Sequence, residues 1–156
     1  MGAARAMLSA PPLRFVVVRL GGRDYGVPAA RVCGMMLVRT ADLEAAPPGG
    51  PGGERLRIEG RTIAVLRPHG LLGLKARPAS ARSCLVLVRD GTRHGGPPAE
   101  AAFALAVDSI SRIEDVPAAF YRAPGRIRLG DGWREVLDLD QLQRAALASP
   151  ASLTTN

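Results

Sequence analysis

Residues 13–28 read Leu-Arg-Phe-Val-Val-Val-Arg-Leu-Gly-Gly-Arg-Asp-Tyr-Gly-Val-Pro. The first eight residues are rich in β-branched side chains and end at Gly21-Gly22, which predicts a strand followed by a hairpin turn. Residues 25–28 predict a short return strand, and Pro28 indicates that this strand ends there or lies at a sheet edge. The sequence therefore predicts a β-hairpin in this segment.

Three further pairs of strands continue the same pattern. Their apolar runs are residues 56–58 with 62–66, 84–88 with 103–107, and 126–129 with 133–137. The order of strand, glycine turn, strand, bent segment and hairpin occurs twice, with a repeat of about 70 residues, which indicates a duplicated unit. The pattern predicts an all-β fold of two small antiparallel barrels rather than one sandwich.

The segments that follow two of the strands have an ambiguous period. Val32, Met35 and Met36 have near-helical spacing, which fits either a helical turn or a bent strand. Ile110 and Ile113 repeat the same spacing of three residues in the second half. The pattern alone does not choose between the two structures.

Loops and short helical elements complete the predicted fold. Residues 41–54 predict a loop, because seven consecutive Pro and Gly residues lie within them. Residues 71–74 predict a short helical turn. Asp138 or Asp140 is the expected cap of a C-terminal helix over residues 139–147.

Composition limits the classes of partner. The chain has 156 residues, which fits one domain, and 21 Lys and Arg against 14 Asp and Glu give a net charge of +7. The arginines are scattered and aromatic residues make up 4%, which is too few for a base-stacking platform. No apolar run reaches the length of a membrane span. We therefore expect no nucleic acid and no membrane insertion, and keep a basic small-barrel nucleic-acid-binding protein as the alternative function.

Residues of catalytic or metal-binding types form no recognisable site. His69 and His94 are the only histidines, and neither has a second ligand at metal-binding spacing. Ser109 and Ser111 lack the Gly-x-Ser-x-Gly context of a nucleophile. The glycines of residues 130–132 fit a hairpin turn better than a phosphate loop. The sequence therefore predicts a binding module with no catalytic residue, cofactor or metal, and not an enzyme.

Two features bear on the compartment. Cys33 and Cys84 lie outside any Cys-x-x-Cys motif and are interpreted as reduced, buried thiols. The first residues lack the apolar core of a signal peptide. We expect a cytoplasmic protein with flexible tails at 1–12 and 149–156 around a single domain at 13–148.

Four segments, in this order, resemble the CheW-like domain family of chemotaxis coupling and scaffold proteins. Residues 15–28 are similar to the start of that family. The hairpin at Gly60 followed by residues 71–74 is similar to its "NLRGxxxPvvDLrxxLgl" segment. Residues 104–110 and 137–142 are similar to its "gllVDxV" and closing "LDLdxLl" segments. The resemblance runs from about residue 15 to residue 147.

The resemblance implies two interleaved, five-stranded SH3-like barrels packed on each other. It also implies a non-catalytic adaptor of a bacterial chemosensory array, which couples methyl-accepting chemoreceptor tips to a CheA-type histidine kinase. In that family the first barrel meets the kinase's regulatory domain, and the groove between the barrels takes the receptor's helical tip. Carried over by position, the receptor groove comprises Val32, Gly34, Met35, Cys84, Ile110 and Ile113. Core positions remain the alternative for Cys84 and Ile110, because such residue types are usually buried.

One hairpin departs from the family pattern. Where the family has Asn-Leu-Arg-Gly, this chain has residues 57–60, Arg-Ile-Glu-Gly, and Arg67 stands where the family has Asp. The coupling hairpin thus carries Arg57, Glu59 and Arg67 with two charges reversed. Like charges across an interface are strongly unfavourable, so we hypothesise a divergent member with altered partners, which either binds receptor but not kinase or serves a specialised array. Glu59 and Arg67 are also predicted to face each other as a pair of exchanged sign.

Overall fold

The computed structural model describes residues 12–45, 53–75, 77–91, 100–122, 125–130 and 132–147. In these ranges the chain forms twelve strands and one helix. The strands are β1 (Leu13–Leu20), β2 (Arg23–Pro28), β3 (Val32–Leu37), β4 (Leu43–Ala45), β5 (Glu54–Ile58), β6 (Arg61–Leu66), β7 (Cys84–Arg89), β8 (Ala101–Val107), β9 (Ser109–Val116), β10 (Tyr121–Arg122), β11 (Arg126–Leu129) and β12 (Gly132–Glu135). The helix is α1 (Leu139–Leu147), and short 3₁₀ turns lie at Ala29–Arg31, Val38–Thr40 and Ala118–Phe120.

The described strands pair in three sheets, with the orders β2-β1-β9, β10-β11-β12 and β3-β7-β8-β6-β5-β4. Within the six-stranded sheet β6 and β8 run parallel, and the other neighbours run antiparallel. Two of the three sheets combine strands from both halves of the chain, because β9 pairs with β1 and the β7–β8 hairpin lies between β3 and β6. The two halves are therefore interleaved.

β1 is buried on both faces, which explains its unbroken apolar run. Val16, Val18 and Leu20 pack on one side with residues of β7 and β8. Phe15 and Val17 pack on the other side with residues of β9 and β11. Because successive residues of a strand point to opposite faces, β1 separates two apolar layers.

β7 and β8 separate the first of those layers from a third. Val86 and Phe103 face β1, whereas Leu85 and Ala104 face a cluster that includes Leu56 of β5. We give the three layers names. The subdomain 1 core is the cluster on the face of the six-stranded sheet that points away from β1. The central core lies between the six-stranded sheet and β2-β1-β9, and the subdomain 2 core lies between β2-β1-β9 and β10-β11-β12. The two β subdomains thus share the central core.

The predicted all-β class with two β subdomains, short turns and a C-terminal helix is confirmed. The pairing differs in detail from two closed, five-stranded antiparallel barrels. In the described ranges the sheets are open, since β3 and β4 form the two edges of the six-stranded sheet. The difference arises because strand partners are distant in sequence, and a local pattern does not report long-range pairing.

The predicted loop at 41–54 is partly wrong, because β4 (Leu43–Ala45) lies within it. Leu43 is opposite Leu56 in the β4–β5 ladder and packs against the subdomain 1 core. Burial of this side chain outweighs the local composition. Residues 46–52 of the loop, residues 1–11 of the predicted N-terminal tail and the predicted C-terminal tail lie outside the described residues.

α1 has the predicted bounds and one of the two predicted caps. The Gln141 amide donates to Asp138 Oδ1 at 3.1 Å, as an N-cap carboxylate requires. Asp140 instead forms an ion pair with Arg31 at 3.1 Å. Leu139 and Leu142 pack in the central core, so the helix extends this layer. No helix in the described ranges is long and apolar enough to cross a membrane.

Candidate functional site

A β-bulge places Val32 and Met35 on the same face of β3. The register of the β3–β7 ladder shifts between Val32 and Gly34, and the extra residue lets two positions three apart face the same side. Val32 is opposite Val88 and Met35 is opposite Val86, and both partners belong to the central core. The near-helical spacing therefore belongs to a bent strand, the second of the two structures that the pattern allowed.

A β-bulge also occurs in β9. Ile110 is opposite Val18 and Ile113 is opposite Val16, with a register shift that leaves Ser111 as the extra residue. Val16 and Val18 belong to the central core, so both isoleucines face it. Ile110 is half-buried and Ile113 is 55% exposed.

Cys84 connects these two strands. Cys84 begins β7 opposite Leu37 of β3, and it packs with Ile110 against the central core. Burial raises the pKa of the Cys84 thiol, and a hydrogen bond with the Ile110 backbone acts in the opposite direction. This contact brings β7 and β9 together at the rim of the central core.

Five of the six predicted groove residues thus lie on the side of their strands that faces the central core. We call their combined surface the groove and define it by Val32, Met35, Cys84, Ile110 and Ile113. Val32, Cys84 and Ile110 pack against the central core, and Met35 (43% exposed) and Ile113 are the more exposed members. Gly34 is opposite Leu87 of the subdomain 1 core, so it contributes backbone at the bulge rather than a groove surface.

Both strands that carry the groove lie at sheet edges. Among the described strands, β3 is an edge of the six-stranded sheet and β9 is an edge of β2-β1-β9. Edge strands with bulges are poor templates for further strand pairing. The groove is therefore better suited to a helix that docks through side chains than to an added strand.

A buried arginine that the sequence analysis missed supports the bulge in β3. Arg89 is 7% exposed, and its Nη2 donates to the Val32 carbonyl at 3.1 Å. Arg31 Nε donates to the Arg89 carbonyl, also at 3.1 Å, and its Nη1 contacts Asp140. In the sequence Arg89 is only the last residue before a turn at Asp90, and no local signal marks this role.

The tip of the coupling hairpin is a two-residue turn. Glu59 and Gly60 connect β5 to β6 with φ angles of 45° and 78°, as a type I′ turn requires. Ile58 and Arg61 form the last pair before the turn. Glu59 is exposed at this tip.

The predicted pairing of Glu59 with Arg67 is wrong. Arg67 follows β6 and pairs with Glu54, with its Nε 2.9 Å from Glu54 Oε1. Arg57 pairs with Glu44 of β4 at 2.8 Å. Since Glu54 begins β5 and Glu59 follows its end, Arg67 and Glu59 lie at opposite ends of the hairpin.

The buried His69 contacts a carboxylate and belongs to no metal cluster of the described residues. Among the residues that the structure describes, no three His, Cys, Asp or Glu side chains come together as a metal site. His69 is buried and its Nε2 lies 2.9 Å from Asp108 Oδ1. His94 lies outside the described residues.

Comparisons with known proteins agree with this architecture. The solved structure of the scaffolding protein TtCheW from Thermoanaerobacter tengcongensis is similar, with a TM-score of 0.63 and 18% sequence identity. The similarity covers 80% of this chain and 88% of that chain, and supports a fold of two β subdomains. No curated protein matches the chain. A family model for the CheW-like domain matches residues 14–146, and this chain therefore belongs to the CheW-like domain family.

Proposed function

We propose that this chain is a non-catalytic adaptor of a bacterial chemosensory array, and that its groove binds the cytoplasmic tip of a methyl-accepting chemoreceptor. Membership of the CheW-like family supports a scaffold role in chemotaxis. The observation that carries receptor binding is the pair of bulged edge strands, which turn both Met35 and Ile113 to the side that faces the central core. A helical tip docks through a few apolar anchors of this kind. The proposed compartment is the cytoplasm.

We propose further that the chain binds receptor but not the regulatory domain of a CheA-type kinase. Arg57 and Arg67 are paired with carboxylates of neighbouring strands, whereas Glu59 has no ion pair with a described residue and is exposed at the turn. The turn therefore presents a negative charge where the family resemblance implies an arginine. A kinase surface complementary to that arginine would meet Glu59 with a like charge, which is unfavourable at an interface.

Titration with a chemoreceptor tip fragment tests the first proposal. Ile113→Asp places a charge in the groove and is expected to weaken binding by about tenfold or more, as loss of an apolar anchor does. Leu71→Asp is the matched control, because Leu71 is equally exposed at 54% but lies in the turn after β6. Undetectable binding by the unmodified chain, or an equal loss in both variants, would contradict the proposal.

A parallel titration with the regulatory domain of the cognate kinase tests the second proposal. The unmodified chain is expected to show no measurable binding, and Glu59→Arg is expected to create it. Arg67 is kept unchanged, because it neutralises Glu54. Tight binding of the kinase domain by the unmodified chain would refute selectivity for the receptor over the kinase, and would leave the adaptor role intact. If the chain binds neither partner, both proposals are refuted.

A further inference from the structure

The outer face of the β10-β11-β12 sheet carries exposed arginines. Ile127 and Leu129 of β11 are buried in the subdomain 2 core, so Arg126 and Arg128, which alternate with them, point to the opposite face. Both arginines are exposed. Arg122 of β10 is directly opposite Arg126 in the ladder and therefore lies on the same face.

Aromatic rings hold two of these arginines in place. The Arg122 guanidinium lies over the Trp133 ring, 4.5 Å from its centroid. Arg128 lies over the Phe120 ring at 5.9 Å. A guanidinium stacked on a ring keeps its N–H edges available and has less side-chain freedom to lose when it binds a ligand. We define the arginine face by Phe120, Arg122, Arg126, Arg128 and Trp133.

The arginine face has an excess of positive charge. Glu135 is opposite Arg126 on this face, and Asp24, which lines the same cavity as Trp133 and Glu135, is paired with Arg19. None of the three arginines forms an ion pair with a described residue. The subdomain 2 core and the β2-β1-β9 sheet lie between this face and the groove, so both surfaces can be occupied at once.

We propose that the arginine face is a second docking surface, which binds an acidic, carboxylate-rich segment of a protein partner. Planar guanidinium groups match carboxylates with two parallel hydrogen bonds, and three such groups give the charge complementarity. A single-stranded nucleic acid fits less well, because base stacking needs open ring faces and the Arg122 guanidinium already lies over the ring of Trp133.

The full-length chain carries its own reporter, because Trp133 is its single tryptophan. The probe is a short labelled peptide that alternates Glu and Ala, followed by its anisotropy and by the emission of Trp133. The face variant carries both Arg126→Gln and Arg128→Gln, which removes two positive charges from the arginine face. Arg39→Gln with Arg82→Gln is the matched control, since both residues are exposed elsewhere and the net charge changes equally.

The peptide is expected to bind with a saturable change in Trp133 emission. The face variant is expected to lose about fivefold or more in affinity, and the control is expected to change less than about twofold. A peptide with Gln in place of Glu is expected not to bind. The proposal is overturned if the Glu peptide does not bind, or if both variants lose the same affinity for it. It is also overturned if an oligothymidylate binds more tightly than the Glu peptide and the face variant abolishes that binding.

Discussion

Asp108 accepts a hydrogen bond from the buried His69 at one carboxylate oxygen and one from the Gly21 amide at the other. The His69 Nε2–Asp108 Oδ1 distance is 2.9 Å and the Gly21 N–Asp108 Oδ2 distance is 2.7 Å. Asp108 lies where the chain leaves the six-stranded sheet after β8 and joins β1 as β9. These contacts therefore fix the crossover that positions Ile110 and Ile113 in the groove.

Replacement of Asp108 by Ala is expected to lower the free energy of unfolding by about 2 to 3 kcal/mol, because two buried or half-buried donors lose their acceptor. Urea denaturation measures this. Asp42→Ala is the control, since Asp42 is exposed and its change is expected to stay within about 0.5 kcal/mol. Equal effects in the two variants would mean that the carboxylate of Asp108 stabilises nothing specific.

The ion pair between Arg14 and Asp115 predicts an acid-dependent contribution to stability. The Arg14 Nε–Asp115 Oδ1 hydrogen bond of 2.8 Å holds the pKa of Asp115 below its ordinary value. Since the folded pKa is the lower one, this contribution is fully present above the unfolded pKa of about 4 and is lost as the pH falls through the folded pKa. An NMR titration of the carboxyl group should show this, and Arg14→Gln should raise the midpoint. An unchanged midpoint in that variant would contradict the assignment.

The turn at Glu59 predicts a stabilising substitution. Glu59 has a φ of 45°, and Asn accepts this conformation at the first position of a type I′ turn more readily than Glu. Glu59→Asn is expected to raise the free energy of unfolding by about 0.5 to 1 kcal/mol, and Glu59→Val to lower it. Chemical denaturation of both variants tests the prediction, which fails if the two changes have the same sign.

The thiol of Cys84 offers a chemical probe of the groove. Burial raises its pKa, and a thiol reacts as the thiolate. In a Cys33→Ala background, iodoacetamide is expected to modify Cys84 slowly near neutral pH, faster as the pH rises, and fastest in denaturant. A bound receptor tip fragment is expected to slow the reaction further. Rapid modification at neutral pH that ignores the fragment would place Cys84 outside both the core and the binding surface.

Local signals in the sequence predicted the elements that local chemistry determines. Gly21-Gly22 ended β1 at the expected residue, and Asp138 capped α1 as its position before the helix indicated. The unbroken apolar run of β1 followed from burial on both faces. Turns and caps act over a few residues, so a sequence pattern contains most of the required information.

Long-range pairing and bulges were harder to predict. A spacing of three residues, as between Val32 and Met35, is shared by a helical turn and a bulged strand, and only the partner strand distinguishes them. Leu43 forms a strand because Leu56 lies opposite it, and Arg89 supports the bulge through a contact 57 residues away in sequence. The groove residues came from a family resemblance, since nothing local indicates that β3 and β9 lie at edges of neighbouring sheets.

Hydrogen exchange of the unmodified chain with and without a chemoreceptor tip fragment tests the central claim most directly. The account predicts slower exchange of the backbone amides of Val32–Leu37 and Ser109–Val116, the two edge strands that carry the groove, when the fragment is bound. The β4–β5 ladder, at the far edge of the six-stranded sheet, is predicted to exchange at an unchanged rate. Protection confined to other strands, with β3 and β9 unaffected by a bound fragment, would contradict the account.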